Sequence, residues 1–131
     1  MILLDTHVLV WLLGQPEKLS KPAASAIRRA RNGNGLAIAD ITVWELALLF
    51  SRGALRSYGT VENTVRNLLD RSGVIIKPIT PEIAALSTQF PNDCPRDPAD
   101  RLIGATARAE GLALITHDEN IRKSPLLKTI W

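Results

Sequence analysis

Four short apolar runs alternate with segments of helical pattern along this 131-residue chain, and few folds accommodate such an order. The runs are ILL (2–4), LAIA (36–39), VIIKPI (74–79) and LALIT (112–116), which we predict as buried strands. Nearly continuous apolar strands joined by helices form a parallel sheet covered on both faces. The sequence therefore predicts an α/β fold, a three-layer α/β/α sandwich with a short parallel sheet. No repeat or long linker divides it, so we expect one domain over 1–131.

Residues typical of helix ends lie between these runs. Helices are predicted over 21–32 and 60–73, the second ending at a glycine. Thr80 followed by Pro81 predicts another helix start, and so does Asp97 followed by Pro98. The segment PNDCPRDP (91–98) is predicted as the most irregular loop, followed by SRGALRSYG (51–59).

The composition is that of an ordinary globular domain, with 46% apolar and 22% charged residues. The single cysteine, Cys94, cannot form an internal disulfide, so we expect a reducing compartment, the cytoplasm. The N-terminal apolar run is interrupted by Asp5 and His7, which argues against a signal peptide or a membrane span. A net charge of +3 is compatible with a polyanionic partner but does not require one. Aromatic residues, at 5%, are too few to predict a base-stacking platform.

An acidic residue lies inside the apolar N-terminal stretch MILLDTHVLVWLLG. Burying the Asp5 carboxylate is costly, because desolvation disfavours its charged form. In open α/β sheets, ligands bind beyond the carboxyl ends of the strands, and residues that follow the strands meet there. Asp5 follows the first run and Asp118 follows the fourth, while Glu45 lies in the apolar helix after LAIA. We expect these acids to converge at one edge of the sheet.

Helix capping is an alternative explanation for several acids. Thr42 and Glu45 have the spacing of a capping box, and Asp97 and Asp100 have a similar one. Glu119, three residues after Thr116, is predicted as a capping residue on the same pattern.

Several carboxylates at one sheet edge would repel each other unless a cation neutralised them. Oxygen ligands without a cysteine cluster favour Mg²⁺ or Mn²⁺ over Zn²⁺. Such an ion activates water and stabilises charge on a phosphoryl group, which predicts phosphodiester hydrolysis. His7 and His117 each lie near an acid and raise the alternative of a mixed zinc site, but their spacing is not that of a zinc-binding motif.

The sequence as a whole resembles PIN domains, specifically the ribonuclease toxins of VapC-type toxin–antitoxin pairs. The resemblance rests on LLDTHVLVWLL near the start, ITVWELALL in the first third and RDPADRLIGATARAEGLALITHDENI near the end. These pieces span nearly the full chain in the family's order.

The resemblance also implies a set of site residues. The family's four acids, which are catalytic and bind the metal, fall on Asp5, Glu45, Asp100 and Asp118. Four other residues would have supporting roles. Thr6 and Thr116 would hydrogen-bond around the acids, and Asp97 would cap the helix that carries Asp100 or help to hold a second ion. Arg101 would contact phosphate or form a surface ion pair. Asp40 lies where relatives often have a small polar residue, so a metal role for it is doubtful.

The implied activity is that of a Mg²⁺- or Mn²⁺-dependent endoribonuclease that attacks single-stranded or looped RNA and leaves a 5′-phosphate and a 3′-hydroxyl. The resemblance further implies a homodimer, with no membrane association, that is inhibited by a cognate antitoxin protein. Two other functions stay open: a non-catalytic PIN-like module for protein contacts, and a small-molecule phosphohydrolase of the haloacid-dehalogenase type. The latter would require an acid two residues after the first, where this chain has His7.

Overall fold

The computed structural model describes residues 1–91 and 95–131. The strands in these ranges are β1 (Ile2–Leu4), β2 (Leu36–Ala39), β3 (Ile75–Lys77), β4 (Leu114–Ile115) and β5 (Thr129–Ile130). The helices are α1 (Thr6–Gly14), α2 (Lys21–Arg31), α3 (Asp40–Ser51), α4 (Val61–Ser72), α5 (Pro81–Ser87), α6 (Pro98–Glu110) and α7 (Glu119–Arg122). A short 3-10 turn at Pro16–Lys18 follows α1.

The strands form one parallel sheet in the order β3-β2-β1-β4-β5. β1 lies at its centre, where Leu3 is in register with Ala37 of β2 and with Leu114 of β4. The parallel α/β prediction is confirmed. Because parallel strands end at the same edge, the residues that follow β1, β2 and β4 are brought together.

Alternate side chains of the central strands enter two different cores. Leu4 and Ile115 pack in a cluster with residues of α1 to α4. Leu3 and Leu114 point to the opposite face and pack with residues of α6 and α7. Strand side chains alternate between faces, so helices on both sides bury both sets. The predicted three-layer sandwich is therefore confirmed.

Two features of the sheet differ from the sequence prediction. The run at 74–79 does form a strand, but β3 is an edge strand, and Ile75 and Ile76 remain 47% and 43% exposed. It was wrong to predict a buried strand there, because an edge strand has one neighbour instead of two. β5 was not predicted, since its two residues are too few to show a strand pattern.

Most of the predicted helix ends are confirmed. Thr80 caps α5 through its side chain, and Pro81 is the first helical residue. Asp97 caps α6, with its Oδ1 accepting hydrogen bonds from the amides of Ala99 (2.8 Å) and Asp100 (3.1 Å). Gly111 ends α6 in a left-handed conformation at a φ of 65°, which glycine adopts without strain.

Two capping predictions are wrong. α3 begins at Asp40, so Thr42 and Glu45 lie inside the helix and do not form a capping box. Asp118 is the residue that caps α7, which leaves Glu119 in the first turn and excludes the predicted pairing with Thr116. In both cases the helix start differs from the one predicted, and the polar side chains are free for other contacts.

The predicted irregular segments lie between helices. Residues 52–59 join α3 to α4 through turns and bends, as expected. The segment predicted at 91–98 lies partly outside the described residues, since 92–94, including Cys94, are not described. Within the described ranges, no helix is both long and apolar enough to cross a bilayer.

Candidate active site

Asp5 is held at the carboxyl end of the central strand. It is 7% exposed and caps α1, with Oδ1 accepting a hydrogen bond from the Thr6 amide at 2.8 Å. Its Oδ2 accepts a hydrogen bond from the Thr116 hydroxyl at 2.7 Å. Because Thr116 follows β4, this contact joins the ends of two neighbouring strands and fixes the orientation of the carboxylate.

A second threonine connects α1 with the acid on α3. The Thr6 hydroxyl donates to Glu45 Oε1 at 2.6 Å. It also lies 3.0 Å from the Thr42 hydroxyl. A threonine has one hydroxyl proton, so Thr42 must be the donor in that second contact. Thr42, assigned to a cap from the sequence, instead supports the hydroxyl that positions Glu45.

Thr116 also orients the acid that follows β4. The amide of Asp118 donates to the Thr116 hydroxyl oxygen at 3.1 Å, so one hydroxyl bridges Asp5 and Asp118. Asp118 Oδ1 accepts from the Ile121 amide at 3.0 Å, which is its capping contact in α7. The supporting roles predicted for Thr6 and Thr116 match these contacts.

The acids line one pocket of about 380 Å³ at this edge of the sheet. Its lining residues are Asp5, His7, Trp11, Glu45, Asp97, Asp100, His117 and Asp118. The fold thus brings together all four acids that the resemblance indicated, along with Asp97, although they are spread from residue 5 to residue 118. Larger pockets exist elsewhere in the described part of the chain, but none of them has this set of acids, and the two of about 540 and 500 Å³ have mainly apolar linings.

Electrostatic repulsion is strong in this pocket. Burial raises the pKa of Asp5 and that of Glu45 above their ordinary values, despite the hydrogen bonds from Thr116 and Thr6. Burial, reinforced by the charges of Asp5, Asp97, Asp118 and Glu45, raises the pKa of Asp100 to about 8. Without a cation, Asp100 therefore keeps its proton at neutral pH. A bound cation would reverse this preference.

The donor set fits a hard divalent cation. No group of three or more His, Cys, Asp or Glu side chains in 1–91 and 95–131 already has the arrangement of a metal site. A preformed cage is not required, because Mg²⁺ keeps several of its waters and is often bound by one or two carboxylates. Each carboxylate accepts up to about four hydrogen bonds, so Asp5 and Asp118 retain free lone pairs beside their present partners. Mg²⁺ and Mn²⁺ prefer such oxygen donors.

Two other residues considered from the sequence lie away from this pocket. The Arg101 guanidinium donates to the backbone carbonyl oxygens of Pro95 (2.7 Å) and Pro91 (3.2 Å). It therefore braces the segment before α6 and does not line the acidic pocket. Asp40 Oδ2 accepts from the Ile79 amide at 2.9 Å, which links the start of α3 to the chain after β3.

The pocket also has an aromatic side that composition did not reveal. His7, Trp11, His117 and Trp131 form a chain of ring contacts, with centroids 5.0–6.1 Å apart. The low aromatic fraction gave no indication of this cluster, because the fold concentrates two of the three tryptophans and both histidines in one place. The i,i+4 spacing of His7 and Trp11 was the available signal, but the unpredicted β5 concealed Trp131.

A PIN-domain family model matches residues 2–125. The chain therefore belongs to the PIN-domain family. Within it the sequence is of the VapC type: Ribonuclease VapC22 of Mycobacterium tuberculosis is 36% identical over 132 residues, covering 99% of this chain and 98% of that protein.

Solved structures support the same fold. The crystal structure of VapBC2 from Rickettsia felis, bound to a promoter DNA fragment, matches with a TM-score of 0.74 at 18% identity, covering 98% of this chain and 97% of that one. VapBC-1 of nontypeable Haemophilus influenzae matches with a TM-score of 0.72 at 21% identity, covering 98% and 96%.

Proposed function

We propose that this protein is a metal-dependent endoribonuclease and the toxin of a toxin–antitoxin pair. The observation that carries the proposal is the pocket where Asp5, Glu45, Asp100 and Asp118 converge in a VapC-type PIN domain. The relative from Mycobacterium tuberculosis is named a ribonuclease, which supports RNA as the substrate. An enzyme that cuts cellular RNA works in the cytoplasm, in agreement with the compartment predicted from the single cysteine.

In the proposed mechanism, Asp5, Glu45, Asp100 and Asp118 hold Mg²⁺ or Mn²⁺. When bound, the ion lowers the pKa of water and neutralises charge on the phosphodiester. Asp5 is the fixed point of the set, because both of its oxygens are oriented by Thr6 and Thr116. Hydrolysis by water would leave a 5′-phosphate and a 3′-hydroxyl.

The remaining residues of the site position these acids. Asp97 caps α6 through the Asp100 amide and so fixes the first turn from which Asp100 projects. The Thr6 hydroxyl sets the rotamer of Glu45. Asp100 would exchange its proton for a bound cation, because burial and the charges of the other four acids raise its pKa to about 8.

Cleavage of single-stranded RNA by purified protein, followed by analysis of the ends, tests this proposal. We expect cutting with Mn²⁺ or Mg²⁺, none with EDTA, and a loss of at least about a hundredfold in Asp100→Asn and Asp5→Asn. Asp70→Asn is the matched control, because Asp70 is an exposed acid of α4 outside the acidic pocket. If wild type and both site variants cut equally, a contaminant is responsible and the site assignment fails. Metal-dependent hydrolysis of a simple phosphate monoester without RNA cleavage would favour a phosphohydrolase instead.

The antitoxin is proposed to cover an apolar groove of about 540 Å³ between α1, α3 and α4. Leu13, Phe50 and Leu68 contribute to its lining, and Tyr58 at its edge is 68% exposed. A similar solved structure from Klebsiella pneumoniae is a toxin–antitoxin complex, which supports such a partner. Co-expression with a candidate antitoxin, such as any small protein encoded directly beside this gene, tests it: we expect co-purification, weakened at least about tenfold by Tyr58→Glu. Co-purification unchanged by Tyr58→Glu would exclude this groove.

A homodimer is proposed to form along β3. This edge strand exposes Ile75 and Ile76, and its outer backbone groups have no strand neighbour in the described part of the chain. Exposed apolar edge strands favour pairing with another chain. Light scattering on the purified protein tests the oligomeric state, and a monomeric mass at all concentrations would contradict the proposal.

A further inference from the structure

One side of the acidic pocket is lined by the rings of His7, Trp11 and His117, and Trp131 lies behind them in contact with Trp11 and His117. We call these four rings the aromatic rim. Trp11 lies at its centre, with ring centroids 6.1 Å from His7, 5.8 Å from His117 and 5.8 Å from Trp131. His117 and Trp131 are 5.0 Å apart. The rim joins the start of α1, the end of β4 and the residue after β5 into one continuous surface.

The aromatic rim and the acids belong to the same pocket. His7, Trp11 and His117 line it together with the carboxylates. His7 lies two residues after Asp5, and His117 immediately precedes Asp118. A polymer whose phosphodiester lies at the acids would therefore place a neighbouring group against the rings.

Core packing accounts for Trp131, which packs against the core, but not for the other three rings. Val10, Leu12 and Leu13 of α1 pack against the core, whereas the adjacent Trp11 lines the pocket and remains partly exposed. His7 and His117 are exposed. These partly exposed rings beside a polar cleft form a surface that a ligand can contact.

The charge next to the rim favours a nucleotide over an apolar ligand. The Lys18 ammonium lies over one face of the Trp11 ring, 5.7 Å from its centroid. A ring face combined with a nearby cation is how proteins hold single-stranded nucleic acid, with a base on the ring and a phosphate near the cation. Bases in a duplex are stacked on each other and are not free to occupy such a surface.

We propose that the aromatic rim stacks an unpaired base next to the phosphodiester cut at the acids. This inference rests on the proposed nuclease function and adds the group that the enzyme recognises. Base stacking on aromatic rings tolerates every base, so we expect the rim to position the strand at the acids without selecting a particular base.

Kinetics on rim variants provide the first test. Trp11→Leu keeps an apolar side chain but removes the ring, and we expect its KM for a randomised 12-nucleotide single-stranded RNA to rise about fivefold or more, with kcat nearly unchanged. Trp11→Phe, which retains an aromatic ring, should restore most of the loss, and a rise in KM without a fall in kcat is the readout that a merely structural role of the indole would not produce. Trp44→Leu is the matched control, because Trp44 is 55% exposed on α3 and does not line the pocket. An unchanged KM in Trp11→Leu would overturn the inference.

Binding without cleavage separates the rim from the nuclease. The chain has three tryptophans, so a protein carrying Asp100→Asn and Trp44→Leu reports through Trp11 and Trp131 alone. We expect the randomised RNA to quench their fluorescence, and an abasic ribose-phosphate oligomer of equal length and charge to bind at least about fivefold more weakly. Equal binding of both oligomers would overturn the proposal that the aromatic rim stacks a base. Quenching by RNA in a protein whose wild type cuts no RNA would instead uphold the rim and refute the proposed activity.

Discussion

Replacing Asp100 by asparagine should stabilise the metal-free protein. Burial and four neighbouring acids raise the pKa of Asp100 to about 8, from an ordinary value of 3.8. The folded state therefore holds on to a proton that the unfolded chain releases near pH 4. In the wild type, the free energy of unfolding therefore falls as the pH rises from about 4 to about 8, and it falls no further from this cause above pH 8. An asparagine side chain at this position has no proton to retain and no charge to be repelled.

The size of the effect follows from the shift. Each pKa unit corresponds to about 1.36 kcal/mol, so the unscreened cost at pH 7 would be about 4 kcal/mol. Asp100 is only partly buried, and solvent and salt screen its interactions. We therefore expect a gain of roughly 1–2 kcal/mol, which raises the melting temperature of a domain of this size by about 3–8 °C.

Thermal melts in EDTA at pH 4, 6 and 8 measure this gain. The melting temperature of Asp100→Asn should exceed that of the wild type at pH 8 and equal it at pH 4. Asp70→Asn, which removes an exposed carboxylate of α4, should change neither value by more than about 1 °C. A variant no more stable than the wild type at pH 8, or a gain that persists at pH 4, would refute the claim that burial and the neighbouring charges of the pocket raise the pKa of Asp100 and so cause the effect.

Other predictions concern the same site and the sheet edge. Thr116→Val removes the hydroxyl that hydrogen-bonds to Asp5 and to the amide of Asp118. Urea unfolding should show a free energy of unfolding lower by about 1–3 kcal/mol, and RNA cleavage should also fall. Full stability in this variant would show that the bridge is dispensable. Mn²⁺ affinity measured by calorimetry should rise between pH 6 and pH 8, by up to about tenfold per unit, because binding displaces the Asp100 proton; a flat profile would mean that Asp100 is not a ligand. Ile76→Lys should shift the protein to a monomer in light scattering while the melting temperature stays within about 2 °C, and a persistent dimer would exclude β3 as the interface.

The convergence of the acids could be predicted because it depends on strand order. Asp5 and Asp118 directly follow apolar runs, and parallel strands place such residues at one edge. The contacts that orient the acids were not readable in the same way. Thr42 and Glu45 have the spacing of a cap, and only the actual start of α3 at Asp40 shows that they face Thr6 instead.

The aromatic rim illustrates a second limit of the sequence. Its members are more than 100 residues apart at the extremes, from His7 to Trp131, and Trp131 reaches Trp11 through the placement of β5. That strand has two residues, so local pattern carries no signal for it. The composition shows only that aromatic residues are few, whereas the proposed base stacking depends on where in the fold the rings come together.

The central claim, that these acids gather to hold a divalent cation, is tested most directly by anomalous diffraction from crystals grown with Mn²⁺. We predict one or two manganese peaks within about 2.0–2.5 Å of oxygens from Asp5 and from at least one of Asp100 and Asp118, and no peak there in Asp100→Asn crystals at the same Mn²⁺ concentration. Crystals of active protein without manganese between these carboxylates would contradict the account.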